Sequence, residues 1–243
     1  MKGIKGKLIV AIVLVVFVGL GGFWIYVAVR TYPADAGALD RIRSDDRISI
    51  HEERDHFRLA PPEGDGERPP LIFYPGGLVE PEAYLFKMGR VAGALGATVF
   101  VIKPPFNAAI FDVGAAGRLM DHYGIGEAWI GGHSLGGIAA CRFASANAER
   151  AHGLFLFGSY CDVDARDLPS PIISIMGLED RVIDRGNYEE ARRRLPDSAL
   201  VEEVEGMNHS AFGNYGHQRG DGQGSLDDEA VIRIIIAAFD RAP

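Results

Sequence analysis

A serine between two glycines is the feature of this sequence that could most directly do chemistry. The residues from Gly132 to Gly136 read Gly-His-Ser-Leu-Gly, with Ser134 at the centre. An apolar run precedes them and suits a buried strand, and a run of small and apolar residues follows and suits a packed helix. On such a turn the hydroxyl could attack a carbonyl carbon, and the Leu135 N–H could stabilise the oxygen that becomes negative. A side chain at position 132 or 136 is expected to collide across the turn.

An acid and a base follow this serine in the chain, each in a turn after a predicted strand. Asp180 follows the apolar run at 172–176, and His209 follows the run at 199–205. Side chains at the carboxyl ends of parallel strands meet at one edge of a sheet. A hydroxyl, an imidazole and a carboxylate held together form a nucleophilic triad, in which the imidazole takes the hydroxyl proton and the carboxylate orients the imidazole. Glu179 is the alternative to Asp180 as the acid.

The order of the predicted elements indicates the frame that positions these residues. Strands are expected at 71–74, 98–102, 128–131, 153–157, 172–176 and 199–205, and helices at 81–95, within 109–122, at 137–144, 188–195 and 226–241. Short apolar strands that alternate with helices predict an α/β fold, with a mostly parallel sheet covered by helices on both faces. The segments at 48–50 and 56–59 alternate like an edge hairpin.

On these motifs the sequence resembles the α/β-hydrolase superfamily. It is most similar to the compact bacterial branch of dienelactone-hydrolase-like and small esterase-like proteins, over about residues 71–241. The segments 132–136 and 177–182 resemble the family's nucleophile elbow and acid turn, and Asn208-His209 resembles its histidine turn. The segment 74–84 is similar to the family's His-Gly-Gly oxyanion segment.

The resemblance implies the α/β-hydrolase fold and a serine hydrolase that cleaves carboxylic esters of small molecules. Ser134 would be the nucleophile that forms an acyl-enzyme, His209 the general base and Asp180 the acid. The chemistry would need no cofactor. An acyltransferase with the same triad and a non-catalytic binding scaffold of the same fold are the alternatives.

The oxyanion hole is expected from two backbone N–H groups, those of Leu135 and Gly77, with Leu78 as the alternative to Gly77. Pro75 stands where many relatives have histidine. The backbone donor does not depend on that side chain, so the departure leaves the prediction in place.

Two stretches bear on the substrate. The loop at 212–222 follows His209 directly and is predicted to form a wall of the site, with Tyr215, Gln218 and Arg219 facing the ester; a plain surface loop is the alternative. The stretch at 159–170 leaves hardly any room for a helical cap, which predicts an open site suited to small esters. Acyl chain length does not follow from the sequence.

An uncharged apolar stretch at 8–29 predicts a transmembrane helix ahead of the fold, since a span needs about 20 apolar residues. Residues suited to membrane interfaces flank it: Lys2, Lys5, Lys7, Trp24 and Tyr26. We therefore expect a membrane anchor at 1–30, a linker at 31–46 and a catalytic domain at 47–243. The lysines favour a single-pass protein of the cell membrane, with its domain outside the cytoplasm. A cleaved signal peptide is the alternative.

The composition excludes some classes of function. A net charge of −8 without a basic stripe argues against nucleic-acid binding. The seven histidines show no spacing typical of zinc ligands, so no metal site is expected. Cys141 and Cys161 could form a disulfide or stay as two buried thiols, and the sequence leaves that open.

Overall fold

An eight-stranded sheet forms the frame of the unit Tyr32–Pro243, in a computed structural model that describes residues 19, 21–61 and 68–242. The strands are β1 (Ser49–Glu52), β2 (His56–Ala60), β3 (Leu71–Tyr74), β4 (Val99–Ile102), β5 (Ala128–His133), β6 (Ala151–Phe157), β7 (Ile172–Gly177) and β8 (Leu200–Val204). Their order across the sheet is β1-β2-β4-β3-β5-β6-β7-β8. Strand β2 is antiparallel to β1 and β4, and all other neighbours are parallel.

Helices cover this sheet. The α-helices are α1 (Ala36–Arg43), α2 (Leu85–Leu95), α3 (Ala115–Tyr123), α4 (Leu135–Ala146), α5 (Arg185–Arg192) and α6 (Asp228–Arg241). Short 3-10 helices occur at Pro81–Tyr84, Pro105–Asn107, Ala109–Phe111, Ala148–Arg150 and His209–Phe212.

The central strands β3 to β7 are buried on both faces, which is why they read as nearly unbroken apolar runs. In β3, Leu71 and Phe73 join one hydrophobic core with residues of α1, α2 and α6, whereas Ile72 and Tyr74 join a second core with residues of α3 and α4. Successive side chains point to opposite faces, so each parallel strand feeds both cores. The predicted α/β fold with a mostly parallel sheet is confirmed.

A disulfide ties α4 to the loop that follows β6. The Sγ atoms of Cys141, on α4, and Cys161, after β6, are bonded to each other, and both residues are fully buried. Of the two possibilities that the sequence left open, the structure has the disulfide.

The segment at 31–46 is not the plain polar connector that the sequence predicts. It contains α1, which begins after the N-cap residue Asp35, whose carboxylate accepts a hydrogen bond from the Ala38 N–H. Ala38 and Ile42 are buried, and Ile42 packs against α2. Two apolar positions four residues apart were enough to dock one face of a short, mostly polar helix.

The transmembrane helix predicted ahead of the fold, and the single-pass location in the cell membrane drawn from it, are corrected by the structure. Within 19, 21–61 and 68–242, no helix combines the length and the apolar character needed to cross a membrane. Of the predicted stretch at 8–29, the structure describes residues 19 and 21–29, all of which are helical. Residues 8–18 and 20 of that stretch lie outside the described residues.

We predict that replacing both cysteines, in Cys141→Ala/Cys161→Ala, lowers the free energy of unfolding by about 3 kcal/mol. The disulfide closes a loop between residues 20 apart and so restricts the unfolded chain. Urea denaturation measures the loss, and reduction of the unmodified protein should produce a similar one. An unchanged midpoint in the double variant would show that the bridge contributes nothing to stability.

Candidate active site

Ser134 lies between β5 and α4 on a strained turn. Its φ and ψ are 53° and −125°, which is a left-handed φ that a residue with a side chain rarely adopts. Such a conformation costs of order 1–3 kcal/mol, so the surrounding structure must hold it. The Ser134 N–H donates to the Phe157 carbonyl at 3.0 Å, and the Ser159 hydroxyl donates to the Ser134 carbonyl at 2.6 Å. Both anchors come from the end of β6 and the loop after it.

The two glycines of the motif let the turn touch the neighbouring strand. A Cβ atom at Gly132 would overlap the Tyr74 carbonyl oxygen, and one at Gly136 would overlap the carbonyl oxygens of Tyr74 and Pro75. A side chain at either position would therefore collide, as the sequence predicts, and it would collide with the backbone at the end of β3. This contact fixes Ser134 beside the loop that follows β3.

His209 and Asp180 form a buried pair at the same edge of the sheet. Asp180 follows β7 and His209 follows β8, and their side chains are 1% and 0% exposed. The His209 Nδ1–H donates to Asp180 Oδ2 at 2.7 Å, while Asp180 Oδ1 accepts from the N–H groups of Val182 and Ile183 at 2.9 Å each. The structure thus places Asp180, and not Glu179, in contact with the imidazole.

The other ring nitrogen of His209 is the chemically available one. With Nδ1 as the donor, a neutral imidazole carries its lone pair on Nε2. Nε2 is buried and makes no hydrogen bond to any residue that the structure describes, Ser134 included. Buried polar atoms rarely lack a partner, and an unpaired one points to a functional role. In free enzymes the hydrogen bond between nucleophile and base is often long and shortens only when substrate binds.

His133, inside the motif, links the loop that follows β3 to the turn that carries His209. The Gly76 N–H donates to the Tyr84 hydroxyl at 3.0 Å, the hydroxyl donates to His133 Nδ1 at 2.9 Å, and His133 Nε2–H donates to the His209 carbonyl at 3.1 Å. The rings of His133 and His209 are 4.4 Å apart. The Gly76 N–H can only donate and the His209 carbonyl can only accept, so with a neutral His133 the direction of every hydrogen bond in this series is fixed.

Burial keeps the hydrogen-bonded side chains of Tyr84 and His133 uncharged. Burial, and then the neighbouring His209 ring, lower the pKa of His133 well below its ordinary value of 6.5. Burial also raises the pKa of Tyr84. A neutral imidazole and a neutral phenol can form the chain described, whereas a His133 imidazolium has no acceptor nitrogen for the Tyr84 hydroxyl.

Two unpaired backbone N–H groups lie beside Ser134. Neither the Leu135 N–H, at the start of α4, nor the Gly77 N–H bonds to a described residue, and a Cβ atom at Gly77 would lie 3.0 Å from the Leu135 side chain. The Leu78 N–H, by contrast, donates to the Asn107 carbonyl at 2.7 Å. Of the two donors expected from this loop, Gly77 is therefore the one still able to bind an oxygen.

Tyr215, Gln218 and Arg219, which are expected to face the substrate, differ in how far they are exposed to solvent. Tyr215 is only 6% exposed; its ring packs against those of Tyr84 and Tyr32, and its hydroxyl donates to Gln218 at 3.1 Å. Arg219 is exposed, and its N–H donates to the Tyr32 hydroxyl. Tyr215 is thus enclosed by neighbouring rings, Gln218 is half-buried, and Arg219 is exposed.

The sequence reasoning missed Tyr84 as a member of the site. It lies in a 3-10 helix after the oxyanion loop, and nothing in its spacing distinguishes it from a core aromatic residue. In the part of the chain that the structure describes, no three potential ligands gather around a metal position. A groove of about 670 Å³ between α2 and α6 includes none of the site residues.

Comparison with known proteins gives the family. The family described as "Alpha/beta hydrolase family" matches residues 70–232. No curated protein matches the chain in sequence.

Solved structures share the fold at low identity. Carboxylesterase CesB from Bacillus subtilis is 12% identical with a TM-score of 0.57, and an esterase from Mycobacterium tuberculosis is 14% identical with a TM-score of 0.58; each match covers 84% of this chain and 96% of the other. A monoacylglycerol lipase from Paleococcus ferrophilus is 11% identical with a TM-score of 0.61, over 78% of this chain and 97% of the other. At these identities the likeness concerns the fold.

We predict that His133 makes stability depend on pH. Its folded-state pKa is lowered, so the unfolded chain binds a proton that the folded chain excludes, and stability falls as pH drops below about 6.5. The slope from this one group is at most about 1.4 kcal/mol per pH unit. Urea denaturation from pH 5 to 8 should show that His133→Gln loses this part of the slope. The exposed-site variant His217→Gln keeps His133 and should keep the slope; equal slopes in all three proteins would contradict a neutral buried His133.

Proposed function

This chain belongs to the alpha/beta hydrolase family, and on that premise we propose that it is a serine hydrolase that cleaves carboxylic esters. In this proposal Ser134 is the nucleophile, His209 the general base and Asp180 the residue that orients the imidazole. The proposed catalytic domain, residues 47–243, lies within the compact unit Tyr32–Pro243.

One observation carries the proposal. His209 is buried with its Nδ1–H on Asp180 and its ring 4.4 Å from that of His133, the residue before Ser134, while its Nε2 has no partner among the described residues. A structural histidine would have both ring nitrogens bonded, as His133 does. A buried imidazole lone pair, at the same edge of the sheet as a strained serine, supports the assignment of His209 as the general base and Ser134 as the nucleophile.

The chemistry follows from these positions. His209 Nε2 takes the Ser134 hydroxyl proton while Oγ attacks the ester carbonyl carbon, and the carbonyl oxygen becomes negative. The Nε2–H then gives its proton to the departing alcohol oxygen as the C–O bond breaks, which leaves an acyl-serine. Water repeats the sequence: Nε2 takes one of its protons, its oxygen attacks the acyl carbon, and Ser134 leaves with the proton as the carboxylic acid departs.

The negative oxygen would bind the N–H groups of Gly77 and Leu135. Both donors are unpaired within the described residues and both are held by backbone packing, so they need not reorganise during the reaction. A single donor of this kind is worth on the order of 3 kcal/mol to the transition state.

Small or surface-presented esters fit this site best. The connection from β6 to β7, residues 158–171, contains no helix or strand and so provides no cap over Ser134. Proteins with this fold that are named carboxylesterase, esterase and monoacylglycerol lipase support acyl esters as the substrate class.

We predict that wild-type protein hydrolyses p-nitrophenyl acetate or butyrate and is labelled by a fluorophosphonate probe. Ser134→Ala should abolish labelling and lower kcat by on the order of 10⁶-fold, because the attacking oxygen is gone. Asp180→Asn should lower kcat by about 10⁴-fold, because the imidazole loses the partner that sets its tautomer.

Ser198→Ala, an exposed serine in the loop before β8, is the matched control and should keep full labelling and hydrolysis. Labelling of Ser134→Ala at the wild-type rate would move the nucleophile elsewhere. Failure of both the wild type and Ser134→Ala to react with probe and esters would favour a non-catalytic binding role.

A further inference from the structure

One carboxylate outside the proposed triad holds the turns that carry two triad members. Asp221 lies between Gly220 and Gly222, in the loop that follows His209. Its Oδ1 accepts from the N–H groups of His209 at 3.1 Å and Arg181 at 3.3 Å. Its Oδ2 accepts from the Ser210 N–H at 2.9 Å and the Ser210 hydroxyl at 3.1 Å.

These donors belong to the backbone next to the triad side chains. His209 and Ser210 present consecutive N–H groups to the same carboxylate, and Arg181 directly follows Asp180. Converging backbone N–H groups form a concave site for an anion. In this structure the anion is a side chain of the chain itself, and it joins the acid turn to the histidine turn.

Close packing holds Asp221 in this position. A Cβ atom at Gly222 would overlap the Glu179 carbonyl oxygen, so the Asp221–Gly222 backbone lies directly against the acid turn. The Gly222 carbonyl in turn accepts from the side-chain amide of Asn208 at 2.9 Å. The segment is thus wedged between the residues before Asp180 and those before His209.

The peptide groups around His209 are therefore fixed from two sides. Its N–H donates to Asp221, and its carbonyl accepts from His133 Nε2–H. No lysine or arginine side chain within the described residues forms an ion pair with Asp221, so its charge is stabilised by hydrogen-bond donors alone. The carboxylate contributes geometry to the site without touching the imidazole ring.

We propose that Asp221 is a positioning residue, whose carboxylate sets the distance and angle between the His209 imidazole and Asp180. The inference rests on the proposed function only for its kinetic consequence. Its structural content, the dependence of the His209–Asp180 hydrogen bond on Asp221, holds whatever the reaction is.

The test compares Asp221→Asn with wild type by two measurements. The first is the far-downfield proton resonance of the His209 Nδ1–H that bonds Asp180, assigned by its loss in Asp180→Asn. An amide in place of the carboxylate keeps one acceptor and turns an –NH₂ toward backbone donors, so the resonance should shift upfield or broaden. The second is ester hydrolysis, in which kcat should fall on the order of 100-fold while KM changes little, because a small misplacement of a catalytic group costs rate rather than binding.

Asp227→Ala is the matched control for general loss of stability. Asp227 is an exposed aspartate at the N-cap of α6, and among the described residues its carboxylate accepts from the Ala230 N–H alone. Its removal should cost about 1 kcal/mol of stability and leave both the resonance and kcat unchanged. Sodium formate should restore part of kcat to Asp221→Ala, which lacks the carboxylate, and sodium chloride at equal ionic strength should not.

The outcomes separate the two proposals. An unchanged resonance in Asp221→Asn overturns the positioning role, whatever the activity. Wild type that shows the resonance but hydrolyses no ester overturns the proposed function and leaves the resonance comparison to decide the role of Asp221. A resonance altered equally in Asp227→Ala would reduce the effect to a loss of stability and would also overturn the inference.

Discussion

The candidate site depends on one steric constraint, the contact between the serine turn and the backbone at the end of β3. Gly132 and Gly136 lie so close to the Tyr74 carbonyl that neither position has room for a Cβ atom. The contact brings the start of α4, with its free Leu135 N–H, against the loop that carries Gly77. A strained φ at Ser134 is the consequence, and the hydrogen bond to Phe157 at the end of β6 holds it in place. The partial exposure of Ser134 and the closeness of Gly77 to Leu135 are thus products of the same packing.

A second level of organisation is a set of hydrogen bonds around His209, in which its Nε2 is the only buried side-chain nitrogen of the described residues that has no partner. His133 and Tyr84 are buried and neutral, and their chain ends on the His209 carbonyl. Asp180 takes the His209 Nδ1–H, and its remaining oxygen is occupied by backbone donors. Since most polar side chains of this region have a partner among the described residues, the lone pair on His209 Nε2 stands out.

Much of this arrangement could be predicted from sequence because it is encoded locally. Apolar runs of four to six residues between helices specify a parallel sheet, and Gly-x-Ser-x-Gly specifies its own turn. Asp180 and His209 could be chosen because each follows a strand, so topology alone brings them to one edge. The alternation of Leu71, Ile72, Phe73 and Tyr74 between two cores was likewise implied by an unbroken apolar run.

The parts of the fold and of the site that could not be predicted depend on contacts between residues far apart in the sequence. The helix α1 reads as a polar connector because only Ala38 and Ile42 face the core. Tyr215 looks like a substrate contact, yet its ring is enclosed by Tyr84 and Tyr32, which are far away in the chain. The long apolar stretch near the start predicted a membrane span from hydropathy alone, and no described helix has that character.

The central claim is that Ser134, with Gly77 and Leu135, forms a site for a tetrahedral oxyanion. A crystal structure of the protein after reaction with a small alkyl fluorophosphonate tests it most directly, because the phosphoryl oxygen mimics that oxyanion. The account predicts phosphorus bonded to Ser134 Oγ, with the phosphoryl oxygen about 3 Å from the N atoms of Gly77 and Leu135. An adduct on another residue, or a phosphoryl oxygen turned away from both N–H groups, would contradict it.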